Sequence, residues 1–312
     1  MPASSPPVVV CVGHAALDRV FTVDAWPQGS AKIAASDYRE SGGGMAANAA
    51  VAIARLGAPA SFWGPAGDDA TADVIEAQLR DERIDVVLRR FPGLSTSHSA
   101  VLVDAGGERL VIGLRGSALQ SPADWLPLVR LRQAQALLAD VRWPAGALAA
   151  LAAARTLGIA TVLDAEVGDA HVLKSLVPQA QHVIFSERGL AQFAGDDDPD
   201  ALRRAIDAGA RVAAVTRGER GVAWLAAGES LREMAAFSVN VVDTLAAGDV
   251  FHGAYALALA EGQEAEAAIC FARAAAALKC TRPGGRSGAP SRAEVENFLA
   301  AQGLGRGGGR KG

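Results

Sequence analysis

Val242-Asp243-Thr244-Leu245-Ala246-Ala247-Gly248-Asp249-Val250-Phe251 sets two carboxylates, Asp243 and Asp249, on either side of a run of small residues. An Ala-rich helical pattern follows to about Ala260. Small side chains leave the first N–H groups of such a helix open to a ligand. Those unpaired donors, with the positive end of the helix dipole, attract phosphate. A carboxylate fixed at the same turn accepts a proton from an attacking hydroxyl, so the pattern points to phosphoryl transfer to an alcohol. In a loose transition state the base mainly orients the hydroxyl and takes its proton late. A helix N-terminus keeps Asp249 ionised, which suits that role. The amides of Ala246, Ala247 and Gly248 are the expected donors to the moving phosphoryl group. A close helix–sheet contact would use the same small residues.

Around this segment the chain alternates between apolar strand-like runs and longer helical runs. Val8–Gly13 reads as a buried strand, and so do Ala136–Ala139, Ala160–Leu163, His182–Phe185, Val212–Val215 and Val222–Leu225. Helical patterns lie near Met45–Leu56, Gly146–Leu157, Ala170–Leu176 and Pro199–Ala208. That rhythm predicts an α/β fold with a mostly parallel sheet covered on both faces. Phe21-Thr22-Val23 and Lys32-Ile33-Ala34 are candidate short strands of a smaller sheet. Ser99–Asp104 and Glu108–Leu114, flanking Ala105-Gly106-Gly107, read as a hairpin.

The chain has 312 residues, half of them hydrophobic, with a formal net charge of −4. That is ample for a packed core and offers no electrostatic footprint for nucleic acid. No apolar run approaches the roughly 18 to 20 residues of a membrane helix, and residues 1–7 have no signal-peptide character. Cys11, Cys270 and Cys280 lack metal-site spacing and read as reduced, mostly buried thiols of a cytoplasmic protein. GxxxxGK[ST], HExxH and paired CxxC patterns are absent, so any nucleotide is held differently from a P-loop enzyme. Residues 303–312 are Gly- and Arg-rich and are expected to be disordered, as are residues 1–7.

Gly42-Gly43-Gly44 with Asn48 form a second constellation. Three glycines permit close backbone approach to a ligand, and Asn48, one helical turn on, can hydrogen-bond a polyol; a plain loop or hinge is the alternative. Asp18 lies just past the first strand, where open α/β sheets present ligand-contacting groups. Thr216–Gly221 follows another strand and is either a turn beside a nucleotide or a hairpin turn. Arg282–Gly288 is a flexible loop whose arginines either meet phosphate or stay solvated.

With both segments assembled, Gly42–Ala50 and Asp243–Asp249, about 200 residues apart, the chain resembles the ribokinase-like carbohydrate kinases, the PfkB family, over residues 8–300. The resemblance implies a three-layer sandwich with a central, mostly parallel sheet of about nine strands and a small β-sheet lid built from about residues 20–39 and 97–114. It implies Asp249 as base and the amides of Ala246–Asp249 as the anion hole. Asp18, Gly42, Gly43 and Asn48 would bind sugar hydroxyls. Thr216, Gly218, Gly221 and Gly285 would lie along ATP, with Mg2+ bridging its phosphates. Potassium activation occurs in parts of the family, and Asp243 then belongs to the monovalent-cation loop. Ala246 replaces a common glycine, where only its amide is needed. Ser186-Glu187-Arg188-Gly189 keeps Glu187 as a magnesium candidate but lacks the family's last acid.

Ala139–Trp143, Phe185–Glu187 and Leu278–Arg286 are locally similar to 6-deoxy-6-sulfofructose kinases. That subgroup holds the sulfonate through a Lys, an Asn and an Arg; Lys32 and Arg142 match two of them, and Gly113 stands at the third. The sequence therefore predicts an ATP-dependent kinase acting on a primary hydroxyl of a small sugar, a ketohexose or 6-deoxy-6-sulfofructose. A ribokinase- or nucleoside-kinase-like enzyme, or a sugar or nucleotide sensor on the same fold, are the alternatives. Lid edge strands suggest a lid-to-lid homodimer.

Overall fold

The computed structural model describes residues 6–26, 29–30, 32–104, 106, 108–195 and 200–304. The predicted tails fall mostly outside these residues, as do Ala105 and Gly107 of the hairpin turn and Pro199. The first half of the chain forms β1 (Val9–Val12), β2 (Ala16–Thr22), β3 (Asp37–Gly43), α1 (Met45–Arg55), β4 (Ala60–Gly67), α2 (Ala70–Asp81), β5 (Asp85–Phe91), β6 (Ser97–Val103), β7 (Arg109–Leu114), β8 (Ala136–Asp140) and α3 (Pro144–Thr156). The second half forms β9 (Ala160–Ala165), α4 (Ala170–Leu176), β10 (His182–Ser186), α5 (Glu187–Ala194), α6 (Ala201–Asp207), β11 (Val212–Thr216), β12 (Val222–Ala226), β13 (Arg232–Met234), α7 (Ala247–Ala260), α8 (Ala265–Cys280) and α9 (Arg292–Ala301).

A nine-stranded sheet has the order β13-β12-β11-β10-β9-β8-β1-β4-β5. Its strands are parallel except at β12 and β13, each antiparallel to its neighbour. Successive residues of one strand enter opposite faces, which is why these strands read as unbroken apolar runs. Val9 and Cys11 join the core beneath α1, α2, α7, α8 and α9, whereas Val10 and Val12 join the core beneath α3–α6. Three layers result, as expected. Among the described residues no helix is long and apolar enough to cross a membrane.

A separate four-stranded sheet has the order β3-β2-β6-β7. The hairpin is β6 and β7, paired antiparallel. Two local readings of this sheet need correction. Lys32-Ile33-Ala34 is not a strand; it is exposed, irregular chain without a ladder partner. The strand pairing with β2 is Asp37–Gly43, whose first four residues are exposed and polar and so carry no apolar alternation. Gly42 and Gly43 therefore end a strand, and only Gly44 caps the helix. Helix α5 also escaped the sequence; Ser186 caps it, accepting from the Gly189 amide at 3.0 Å. Of the cysteines, all free, only Cys11 is fully buried, while Cys270 and Cys280 are half-buried.

Candidate active site

A cleft of about 390 Å³ opens where the small sheet meets the C-terminal ends of β1 and β8 and the N-termini of α1 and α7. This is the carboxyl edge of the parallel sheet, where open α/β folds bind ligands. Asp18, Gly42, Gly43, Asn48, Arg142, Ala246, Asp249 and Gly285 all line it. Residues far apart in sequence thus converge on one site.

Asp249 sits in the first turn of α7, half-buried at the cleft. Asn48 Nδ2 donates to its Oδ2 at 2.6 Å, across 201 positions of sequence. The other Asn48 atom, Oδ1, is buried and has no hydrogen-bond partner among the described residues. Asn48 therefore orients the Asp249 carboxylate with one end and keeps an unused acceptor at the other. Burial, followed by the nearby Asp164 carboxylate, pushes the Asp249 carboxyl up to about 7, although the Asn48 hydrogen bond pulls it down. This runs contrary to the sequence expectation of a carboxyl kept ionised, and its first cause is desolvation by the surrounding protein.

The turn before Asp249 offers amides unevenly. Ala247 N–H donates to the Thr244 carbonyl at 3.1 Å, so it is spoken for and does not line the cleft. The amides of Ala246, Gly248 and Asp249 meet no protein acceptor among the described residues. Of the expected anion-hole donors, Ala247 is therefore engaged within the protein. Ala246 itself adopts φ 63° and ψ 12°, the left-handed conformation that glycine favours. Its substitution for glycine is thus a conformational matter as well as an amide matter.

On the facing wall Asp18 Oδ1 accepts from Ser99 Oγ at 2.5 Å, leaving Oδ2 toward Gly43. A Cβ on Gly43 would stand 2.9 Å from that oxygen, and one on Gly42 would overlap the Arg286 guanidinium. The glycines let the Asp18 and Arg286 side chains approach the backbone closely.

The remaining wall is basic. Arg115, Arg142, Arg286, His14 and His98 line the same cleft. Arg115 Nη2 donates to the Arg142 carbonyl at 2.7 Å, and among the described residues neither guanidinium has an ion-pair partner. Arg286 is buried, with Nη2 on Gln78 at 2.9 Å and Nη1 without a partner among the described residues, and burial lowers it to about 10. It is no solvated loop residue; Arg282, by contrast, is paired with Glu294 at 2.6 Å. Burial, then Arg142 and Arg115, hold His14 down to about 3, so its imidazole is neutral at neutral pH. Arg115 and Asp140 were missed in the sequence. Asp140 is fully buried and receives the amides of His14, Ala46 and Arg142 at 2.7, 3.1 and 2.8 Å. It ties β1, α1 and the Arg142 loop together, a role that no local pattern announces.

Other predicted residues lie elsewhere. Lys32 is exposed and does not line the cleft. Thr216 ends β11, and Gly218 and Gly221 form the turn into antiparallel β12, so this segment is a hairpin outside the cleft. Glu187 is exposed and ion-paired with Arg220, which leaves it poorly suited to a metal. No cluster of three metal-ligating side chains exists among the described residues. Asp164, on β9, is the better magnesium candidate: both carboxylate oxygens are buried without a hydrogen-bond partner among the described residues, Oδ2 lying 3.4 Å from His252 Nδ1, with Glu166 close by. Glu166 accepts from Ser186 Oγ at 2.8 Å. These oxygens fit a hard dication whose other ligands come from a nucleotide. Asp243 is buried behind the cleft. Its Oδ1 receives the Leu245 amide at 2.9 Å, and its Oδ2 receives those of Gly284 and Gly285 at 3.0 and 3.2 Å.

Several known proteins share this architecture and span the whole chain. An Agrobacterium tumefaciens protein solved as a candidate ribokinase is 37% identical with TM-score 0.89, covering 96% of this chain and 99% of its own. Arabidopsis thaliana ribokinase, solved with ribose and ATP, is 26% identical with TM-score 0.84, covering 95% and 99%. The ATP-dependent ribose-1-phosphate kinase of Halopiger xanaduensis is 29% identical over 297 residues, 94% of this chain and 98% of its own. The pfkB family carbohydrate kinase signature matches residues 7–292, both segments included. The chain belongs to the pfkB family of carbohydrate kinases, with a ribokinase-like fold.

Proposed function

We propose that this kinase uses Mg-ATP to phosphorylate a primary hydroxyl of a small sugar, pentose or ketohexose in size, carrying an anionic group at the end away from Asp249. The Asn48–Asp249 pair carries the first part of this reading. It sets an oriented carboxylate beside the open amides of Gly248 and Asp249 and opposite the acceptor Asp18. Asp249 takes the proton of the attacking hydroxyl, and those amides steady the charge on the moving phosphoryl group. Asp18 and Asn48 Oδ1 accept from other sugar hydroxyls. Asp164 and Glu166 would hold magnesium on the protein side, and the ion would supply neutralisation of phosphate charge. Thr216, Gly218, Gly221 and Gly285 border the nucleotide in this reading. The small sheet acts as a lid over the sugar, excluding the water that would otherwise accept the phosphoryl group.

Arg115 and Arg142 carry the second part. Two guanidinia without carboxylate partners in a sugar cleft suit a phosphate, sulfonate or carboxylate, since arginine recognises such groups in a bidentate manner. A relative acting on ribose 1-phosphate and another solved with ribose and ATP support the two halves. Lys32, exposed in this structure, gives the anionic reading no support.

ADP release from Mg-ATP tests the reading across ribose, fructose, 6-deoxy-6-sulfofructose, 2-keto-3-deoxygluconate, sugar phosphates and adenosine. Turnover on one sugar is expected to fall about 10²–10⁴-fold in Asp249→Asn. Arg142→Ala is expected to raise KM for an anionic acceptor and leave neutral sugars unaffected. Turnover unchanged in Asp249→Asn overturns the base assignment. Equal KM shifts for charged and neutral sugars overturn the anionic one.

A further inference from the structure

The side chain of Lys279, in the last turn of α8, has no solvent exposure at all. Its Nζ donates to the Asp243 carbonyl at 2.6 Å and to the Arg282 carbonyl at 3.5 Å, and lies 3.4 Å from Asp243 Oδ2. Two carbonyls and a carboxylate around a single positive charge are the oxygen set that an alkali cation takes. A buried lysine is costly unless its charge is fully engaged. Its place in the fold explains why the cost is met.

Asp243 is where three segments cross. Its amide and that of Val242 donate to the Cys280 carbonyl at 3.1 and 2.8 Å, pinning the approach to α7 against the end of α8. Its carboxylate holds Leu245 on one side and Gly284 and Gly285 on the other. Leu245, Ala246, Gly285 and Arg286 all face the cleft. The cationic Lys279 thus sits one residue layer behind the turn that presents the amides. The resemblance to potassium-activated kinases would put a monovalent ion on this same Asp243 loop. Here the Asp243 carboxylate and carbonyl already serve the ammonium, so the residues do not fit a free ion.

We propose that Lys279 is a built-in cation: a positioning residue that holds the amide-presenting turn in shape and makes the enzyme independent of potassium. That it acts on catalysis rests on the kinase reading above; that it excludes a monovalent ion does not.

The experiment compares the full chain with Lys279→Ala and the isosteric Lys279→Met in tetramethylammonium buffer. Chloride salts of potassium, ammonium and sodium are added to about 100 mM, somewhat below physiological ionic strength. Melting temperature and, where turnover is found, kcat are read. Wild type is expected to change less than about twofold in kcat and to show no ion-selective shift in melting temperature. Lys279→Ala is expected to lose at least about tenfold in kcat and to regain part of it with potassium or ammonium. Its melting temperature should rise with those ions more than with sodium, whereas Lys279→Met, with the space filled, should not be rescued. Potassium activation of wild type beyond tenfold, or an ion-selective rise in its melting temperature, overturns the proposal even if neither variant folds. A Lys279→Ala protein fully active without any small cation overturns it as well. Should no sugar turn over, the melting arm still decides whether an ion binds, so the kinase reading can fail without deciding this one.

Discussion

Asp249 draws its reactivity from neighbours that the chain brings to it from three directions. Asn48 donates from α1, Asp164 opposes from β9, and the surrounding protein removes water. The carboxyl must be ionised to take a proton, and its pKa is raised to about 7. Free-enzyme kcat/KM should therefore fall as pH drops through about 7, not through the usual carboxylate range near 4. Removing the Asn48 hydrogen bond, which favours the ionised form, should move this acid limb to still higher pH in Asn48→Leu. A pH–rate profile from 5 to 9 on both proteins checks the shift; a limb near pH 4 in wild type contradicts it. The sign for stability is the opposite. The folded state holds this proton more tightly than the unfolded chain, so the contribution of Asp249 weakens as pH rises from about 4 to 7. The place of Asp249 in the cleft was legible because it closes a recognisable local segment. Its proton affinity was not, since that depends on Asp164, 85 positions away in the chain.

Helix α7 shows how an element carries a functional compromise. Its capping residue, Ala246, is held at φ 63°, in the turn where the amides of Gly248 and Asp249 meet no protein acceptor among the described residues. A left-handed alanine costs about 1 kcal/mol that glycine avoids. Ala246→Gly should raise unfolding stability by about that amount, read as a higher denaturant midpoint at unchanged slope. A loss of stability would show that the alanine methyl makes packing contacts worth more than the strain. Elements with both faces buried, such as β1 and β8, announce themselves as continuous apolar runs. Strand β3 does not, because an edge strand whose first half is exposed can be polar throughout that half. The Thr216–Gly221 segment was ambiguous for a related reason. Glycines with positive φ serve a hairpin and a ligand turn equally; the antiparallel pairing of β11 with β12 shows the hairpin, and a hairpin turn can still border a nucleotide.

In the molecule as a whole, the small sheet is the least covered part. Its edge strand β7 exposes Val111 at 59% and Ile112 at 62%, an apolar edge with open backbone groups. Such an edge invites pairing with another strand, and a second copy of this chain presents the same edge in a two-fold arrangement. A homodimer through the small sheets is the expected assembly. Sedimentation should give twice the chain mass for wild type and the single-chain mass for Val111→Asp. A monomeric wild type at micromolar concentration rules the dimer out.

By itself the sequence determined the class of chemistry and most of the parallel sheet. Both are written in short segments, Asp243–Asp249, Gly42–Asn48 and the apolar runs, whose meaning depends on neighbours a few residues away. Tertiary structure alone decided which charges share the cleft. Arg115, Arg142 and Arg286 come from three separate loops, Lys32 lies outside, Glu187 turns to Arg220, and Lys279 reaches Asp243 across 36 positions. The physical reason is range: helix and strand preference act over neighbouring residues, whereas desolvation and charge pairing depend on distances in space that only the packed chain sets.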